Sequence, residues 1–193
     1  MKLNYNKLMH QTISSFDHRP KLLLHCCCAP CSSAVIERLK EYFDITYLYF
    51  NPNIFPKDEY DRRKEQFKKL GVEVIDLGYD HDEFLAQVKG LENEREGGIR
   101  CNVCIANRMD KAFEYAKSHN FDYVTTTLTI SPHKNAEFIN LTGENLEKKY
   151  QIKYLYADFK KENGFLRSTQ LAKQLDIYRQ NYCGCEFSAK QDF

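Results

Sequence analysis

Eight cysteines fall in three groups: Cys26, Cys27, Cys28 and Cys31 in "HCCCAPC", Cys101 and Cys104 in "CNVC", and Cys183 and Cys185 in "CGC". Scattered cysteines would read as buried free thiols; grouped ones read as metal ligands or redox partners. Cys101 and Cys104 are three apart, so on a helix both sulfurs share a face and can reach one metal. The positive end of a helix would also favour the thiolate over the thiol. Joined to the first group, they make a four-thiolate set that suits zinc or an iron–sulfur cluster equally. Zinc would choose Cys28, Cys31, Cys101 and Cys104, two C-x2-C pairs, although the gap between them far exceeds the roughly 15–20 residues of a zinc ribbon. Cys183 and Cys185 flank Gly184. Residues two apart bridge only with strain, and a strained disulfide is labile, so this pair is expected to be redox-active rather than structural.

The bulk composition is that of a globular protein. A chain of 193 residues suits one domain and can bury a core without disulfides. Net charge is only +1, so a polyanion would have to meet a local basic patch. The opening "MKLNYNKLMHQTISSFDHRPK" lacks the apolar region and cleavage site of a signal peptide. No stretch approaches the roughly 20 apolar residues of a membrane helix. The expectation is a cytoplasmic protein without membrane contact, a compartment where structural disulfides are rare.

The elements that must position these cysteines alternate. Strands are predicted over 21–26, 44–50, 72–77, 121–127 and 152–158. Helices are predicted over 32–43 (with Ser32 or Ser33 as N-cap), 57–71 (closed by Gly71), 81–90, 101–120, 136–151 and 164–178. Such alternation gives an α/β fold, a mostly parallel sheet with helices on both faces, Rossmann-like and similar to the adenine-nucleotide alpha-hydrolase-like fold. Ligands then sit beyond the carboxyl ends of the strands. The first cysteine group, "NPNIFP" and "TLTISPHK" follow strands one, two and four, so the cysteine cluster is expected at that edge. No internal repeat or linker is visible, and 1–193 is read as a single domain.

The segments "HCCCAPC", "YFNPNIFPKDEYDRR", "RCNVCIANRM", "TTTLTISPHKN" and "YRQNYCGCEFS" together resemble the epoxyqueuosine reductases of the QueH type, in order and spacing, over roughly residues 20 to 188. The resemblance implies a cobalamin-independent oxidoreductase of queuosine biosynthesis that removes the epoxide oxygen of epoxyqueuosine at the tRNA wobble position. It implies a [4Fe-4S] cluster on Cys27, Cys28, Cys101 and Cys104, and a redox-active pair at Cys183 and Cys185. Cys31 would be a ligand to a second, mononuclear iron, while Cys26 has no assigned task. Residues 1–20 would be an N-terminal extension and 179–193 a C-terminal redox tail. The partners would be tRNA carrying epoxyqueuosine in its anticodon loop and an unidentified electron donor.

Turning an epoxide into an alkene takes two electrons and two protons and releases water, so one cluster needs a second electron store, which the Cys183/Cys185 dithiol would supply. A second metal could act as a Lewis acid. Proton-donor candidates are His133, with Asp58, Tyr60 and Tyr182 behind it. The substrate base must leave the anticodon stack, which calls for aromatic faces (Phe50, Phe55, Tyr182) and cations near the site. The tRNA-binding candidates are Arg63, Arg100, Arg108, Lys134 and Arg179, with Arg62, Lys64, Lys68, Lys69 and Arg167 more simply read as solvated charges. Two rivals differ in class. An ATP-dependent tRNA thiolation protein of similar architecture would need a glycine-rich phosphate loop where this chain has "CCCAPCSS". A zinc-stabilised tRNA-binding protein would be colourless where a cluster protein is brown.

Overall fold

The computed structural model describes residues 3–189; residues 1–2 of the expected extension and 190–193 of the expected tail lie outside it. Five strands, β1 (Lys21–His25), β2 (Asp44–Tyr49), β3 (Val74–Asp76), β4 (Tyr123–Thr126) and β5 (Lys153–Tyr154), form one sheet in the order β3-β2-β1-β4-β5. Every pairing is parallel. This is the expected α/β sheet, and its burial explains the apolar run "LLL" in β1. Leu22, Leu23 and Leu24 are all 0% exposed because a parallel central strand is covered on both faces. Alternation sends Leu22 and Leu24 into one core and Leu23 into the other.

The first core is closed by α1 (Tyr5–Ile13), α2 (Ala29–Leu39) and α7 (Gly164–Gln174), through Met9, Ile13, Val35, Leu39 and Ala172. The second is closed by α5 (Ile99–Ser118) and α6 (Ala136–Tyr150), through Ile105, Met109, Phe113, Ile139 and Leu146. Helix α1 had no place in the sequence-based expectation. It starts at the Asn4 cap, whose side chain accepts from the Lys7 N–H, and buries Tyr5, Met9 and Ile13 at helical spacing. The remaining elements are α3 (Lys57–Glu65), α4 (His81–Gln87) and the short α8 (Glu186–Ala189).

Three expected boundaries move, each for a reason that matters to the cysteines. Helix α2 begins at Ala29 rather than after Ser32 or Ser33. Cys28, in extended backbone, occupies the cap position, and Pro30 sits in the first turn, where a missing N–H is harmless. Ser32 and Ser33 instead donate their hydroxyls back to the Cys28 and Pro30 carbonyls. Cys31 therefore lies in the first turn of the helix. Strand β4 stops at Thr126, whose hydroxyl accepts from the Leu128 N–H and turns the chain into a 3-10 helix over Thr127–Ile130. Strand β5 keeps only two paired residues at the sheet edge. Helix α3 continues as a 3-10 helix over Gln66–Leu70 and closes at Gly71 (φ +67°), as its sequence predicted.

Candidate active site at the carboxyl edge of the sheet

The chain leaves β1 through Cys26, whose N–H continues the ladder to the Leu48 carbonyl at 2.8 Å. Its sulfur is 0% exposed and directed at the Leu24 carbonyl, and burial pushes its thiol well up. Cys26 is a core thiol. Cys27 is held from the loop after β4: its N–H donates to Thr127 Oγ1 at 3.1 Å, and the Thr127 hydroxyl approaches its sulfur at 3.3 Å. Cys27 and Cys28 sulfurs lie 3.9 Å apart. With Cys31 they form, among the described residues, a group of donor atoms all within 4.8 Å of one another that could hold a metal. The thiols of Cys28 and then Cys31 share their protons with the Cys27 sulfur, which holds Cys27 well below the ordinary thiol range. The same contact with Cys27 pushes Cys28 up to about 12 and Cys31 well above its usual value.

Cys101 and Cys104 stand in the first turns of α5, on one side of it, outside that triad. The helix start does not make them thiolates as expected. Burial pushes Cys101 up and Cys104 up to about 11, outweighing the helix end and the Gly97 N–H that donates to Cys101 Sγ at 3.2 Å.

Two adjoining cavities relate the groups. One is lined by Cys101, Cys104, Cys183 and Cys185, the other by Cys27, Cys28, Cys31 and Cys183. Asn53, Glu96, Arg108, His133, Lys134 and Cys183 line both. The second cavity, about 490 Å³, is within the size range of small-molecule sites.

Arg108 and Lys134 carry the charge at this junction. Arg108 is 4% exposed and donates to Asn51 Oδ1 (3.1 Å) and the Cys104 carbonyl (3.3 Å). Burial opposes its charge, but the surrounding sulfurs, Cys104 first, outweigh it and keep it firmly protonated. Lys134 Nζ lies 3.6 Å from Cys183 Sγ, and that sulfur, then Cys27, raises its pKa. The sulfurs facing these two cations favour the charged form of each.

The other expected cations take different places. Arg63, 2% exposed, pairs with Glu59 at 2.7 Å and donates to the Cys183 carbonyl at 2.9 Å. Arg100, 1% exposed, clamps the acidic loop before α5 by donating to the Leu91, Glu92 and Glu94 carbonyls. Arg179 is exposed, over the Phe165 ring, and lines the second cavity. Of the proton-donor candidates, His133 is exposed and lines both cavities, and Tyr182 lines the second. Tyr60 instead donates to the Asp76 carboxylate and the Gly78 carbonyl, and exposed Asp58 lines neither of these cavities.

The segment carrying Cys183 and Cys185 is pinned across the site. Phe55 N–H donates to the Gly184 carbonyl at 2.9 Å, and Tyr182 OH to the Phe55 carbonyl at 3.2 Å. His81 bridges the Pro52 carbonyl (2.8 Å) and Glu186 (3.1 Å). Gly184 has φ +134°, and a Cβ there would lie 2.9 Å from Arg63 Nη1. Asn51, Asn53, His81 and Thr127 escaped the sequence reading as site residues. His25 did too: it is fully buried between Thr126 and the Phe50 carbonyl, and burial pushes its pKa down to about 4. The "NPN" and "TTT" runs were the only signal for Asn51, Asn53 and Thr127.

Comparison with known proteins agrees with this picture. The family described as epoxyqueuosine reductase QueH matches residues 22–191. The chain is 46% identical to an epoxyqueuosine reductase QueH of Streptococcus pyogenes serotype M1, over 98% of this chain and 79% of that protein. It is 43% identical to the one from Staphylococcus epidermidis, over 97% of this chain and 85% of that protein. For that of Thermotoga maritima the figures are 33%, 86% and 89%. With 79–89% of those relatives' length matched and the cysteine-bearing edge inside the match, the chain belongs to the QueH family of epoxyqueuosine reductases.

Proposed function

We propose that this protein is an iron–sulfur oxidoreductase that acts on tRNA carrying epoxyqueuosine at the wobble position, removing the epoxide oxygen to give queuosine. The observation that carries the reading is the junction where the two cysteine-lined cavities meet at Arg108, Lys134 and Cys183. Cys27 and Cys28 line one of the two cavities from the end of β1, and Cys101 and Cys104 line the other from the start of α5. Their chemistry fits a [4Fe-4S] cluster, which needs thiolate donors, and the cations Arg108 and Lys134 stand ready to offset the negative charge that four thiolates bring. When bound, the cluster would supply electrons one at a time. The protein's own residues would do the rest. Arg108 and Lys134 balance charge, Arg63 fixes the Cys183 backbone, and the dithiol of Cys183 and Cys185 provides a two-electron store.

The larger cavity would receive the flipped-out base, with Tyr182 and Phe165 on its wall and exposed Arg179 and His133 towards the tRNA backbone. Cys31, whose sulfur lies within 4.8 Å of those of Cys27 and Cys28, would be a ligand to a second, mononuclear iron beside the cluster. Among the described residues no helix is long and apolar enough to cross a membrane, and the substrate class puts the enzyme in the cytoplasm with an electron donor. The test is nucleoside analysis. Anaerobically reconstituted protein, given reductant and epoxyqueuosine-containing tRNA, should yield queuosine; a fully iron-loaded protein that yields none contradicts the proposal.

A further inference from the structure

Cys183 and Cys185 are two residues apart and both line the first cavity, but the rest of their surroundings differ. Cys183 is half-buried and lines both cavities, with the Lys134 ammonium 3.6 Å from its sulfur. Cys185 is 6% exposed and packed with Phe84 and Val88, with Val103, Cys104 and Phe187 alongside. Its sulfur is directed at Ser188 Oγ, 3.5 Å away, and that hydroxyl donates to the Cys185 carbonyl at 2.9 Å. Gly184 permits the reversal, since at φ +134° successive side chains can leave the chain towards different surroundings. A thiol beside a cation in an accessible cavity is the reactive kind; one in an apolar cluster is not.

We propose that the two thiols have separate roles: Cys183 is the thiol that reacts first, Cys185 is the one that resolves it, and Lys134 is the positioning residue that keeps the Cys183 sulfur reactive at the cavity junction. The assignment rests on the reading of this pair as the two-electron store. Oxidation of the pair forms the bond between the two sulfurs and releases two electrons and two protons. The epoxide consumes both as its two C–O bonds break, the alkene forms and the oxygen leaves as water. An external dithiol restores the pair by exchange. Lys134 is well suited to this place because its charge is reinforced by the sulfurs around it, Cys183 first.

The experiment is timed alkylation of reduced, iron-loaded protein with iodoacetamide at neutral pH, followed by peptide mass spectrometry, with the cluster absorbance recorded throughout. Cys183 should be labelled about tenfold or more faster than Cys185. Lys134→Met should slow Cys183 labelling severalfold, while Lys134→Arg should retain most of it. Lys134→Gln, polar and of similar reach, repeats the test should the methionine variant misfold. Equal labelling of the two cysteines, faster labelling of Cys185, or a Cys183 rate indifferent to loss of the Lys134 charge would overturn the assignment. The readout needs no tRNA, so it is separate from the two-electron-store reading, which fails instead if Cys183→Ser and Cys185→Ser both leave turnover intact.

Discussion

Cys27 and Cys28 are sequence neighbours whose sulfurs nevertheless lie on the same side of the chain, 3.9 Å apart. In a strand, neighbouring side chains point to opposite faces, so this convergence requires that the strand has already ended. Cys26 still pairs with Leu48, while Cys28 already caps α2. The switch from strand to helix within three residues thus sorts three consecutive cysteines into one core thiol and two that line a cavity.

Cys26→Ala should therefore cost stability without costing metal. Removing a fully buried sulfur leaves a small cavity, worth about 1–2 kcal/mol. Thermal denaturation should show the loss, and iron content and turnover should match the parent protein. Iron content that falls with Cys26 would make it a ligand.

Cys31→Ser should separate two kinds of metal. If Cys31 serves only a mononuclear ion, the variant keeps the cluster absorbance and loses the extra iron by elemental analysis. Loss of the cluster itself would place Cys31 among its ligands, as the two-pair zinc arrangement would also have it.

Gly184→Ala should impair turnover out of proportion to stability. The new Cβ meets Arg63 Nη1 at 2.9 Å and Ile54 at 3.1 Å, and φ +134° is strained for any side chain. The cost is of order 1–3 kcal/mol, local to this segment. Cluster content measured by iron and sulfide should be unchanged, with kcat reduced; a variant with parental kcat would mean that the placement of Cys183 and Cys185 is not critical.

Much of this site is written in the sequence at the level of residue type and order. The apolar runs of β1, β2 and β4 mark a parallel sheet, and its carboxyl edge collects the cysteine groups and the "NPNIFP" and "TLTISPHK" loops. What the sequence does not carry is burial. Arg63, Arg100 and Arg108 read as surface cations, yet all three are sunk beneath the surface by partners distant in the chain: the Cys183 carbonyl, the 91–94 loop and Asn51. The thiolate character expected of Cys101 from its place at a helix start failed for the same reason, because desolvation is a tertiary property. Helix α1 was hidden by its alternation of polar residues with a three-residue apolar stripe that has meaning only once α2 and the sheet are present.

The central claim is that cysteines from two distant parts of the chain, the end of β1 and the start of α5, hold one iron–sulfur cluster. It is tested most directly by electron paramagnetic resonance and iron and sulfide analysis of the dithionite-reduced parent protein alongside Cys27→Ala and Cys104→Ala, each checked for folding by circular dichroism. The account predicts a [4Fe-4S] signal in the parent and its loss in both variants, with the fold intact. A full four-iron signal surviving in folded Cys104→Ala would contradict it.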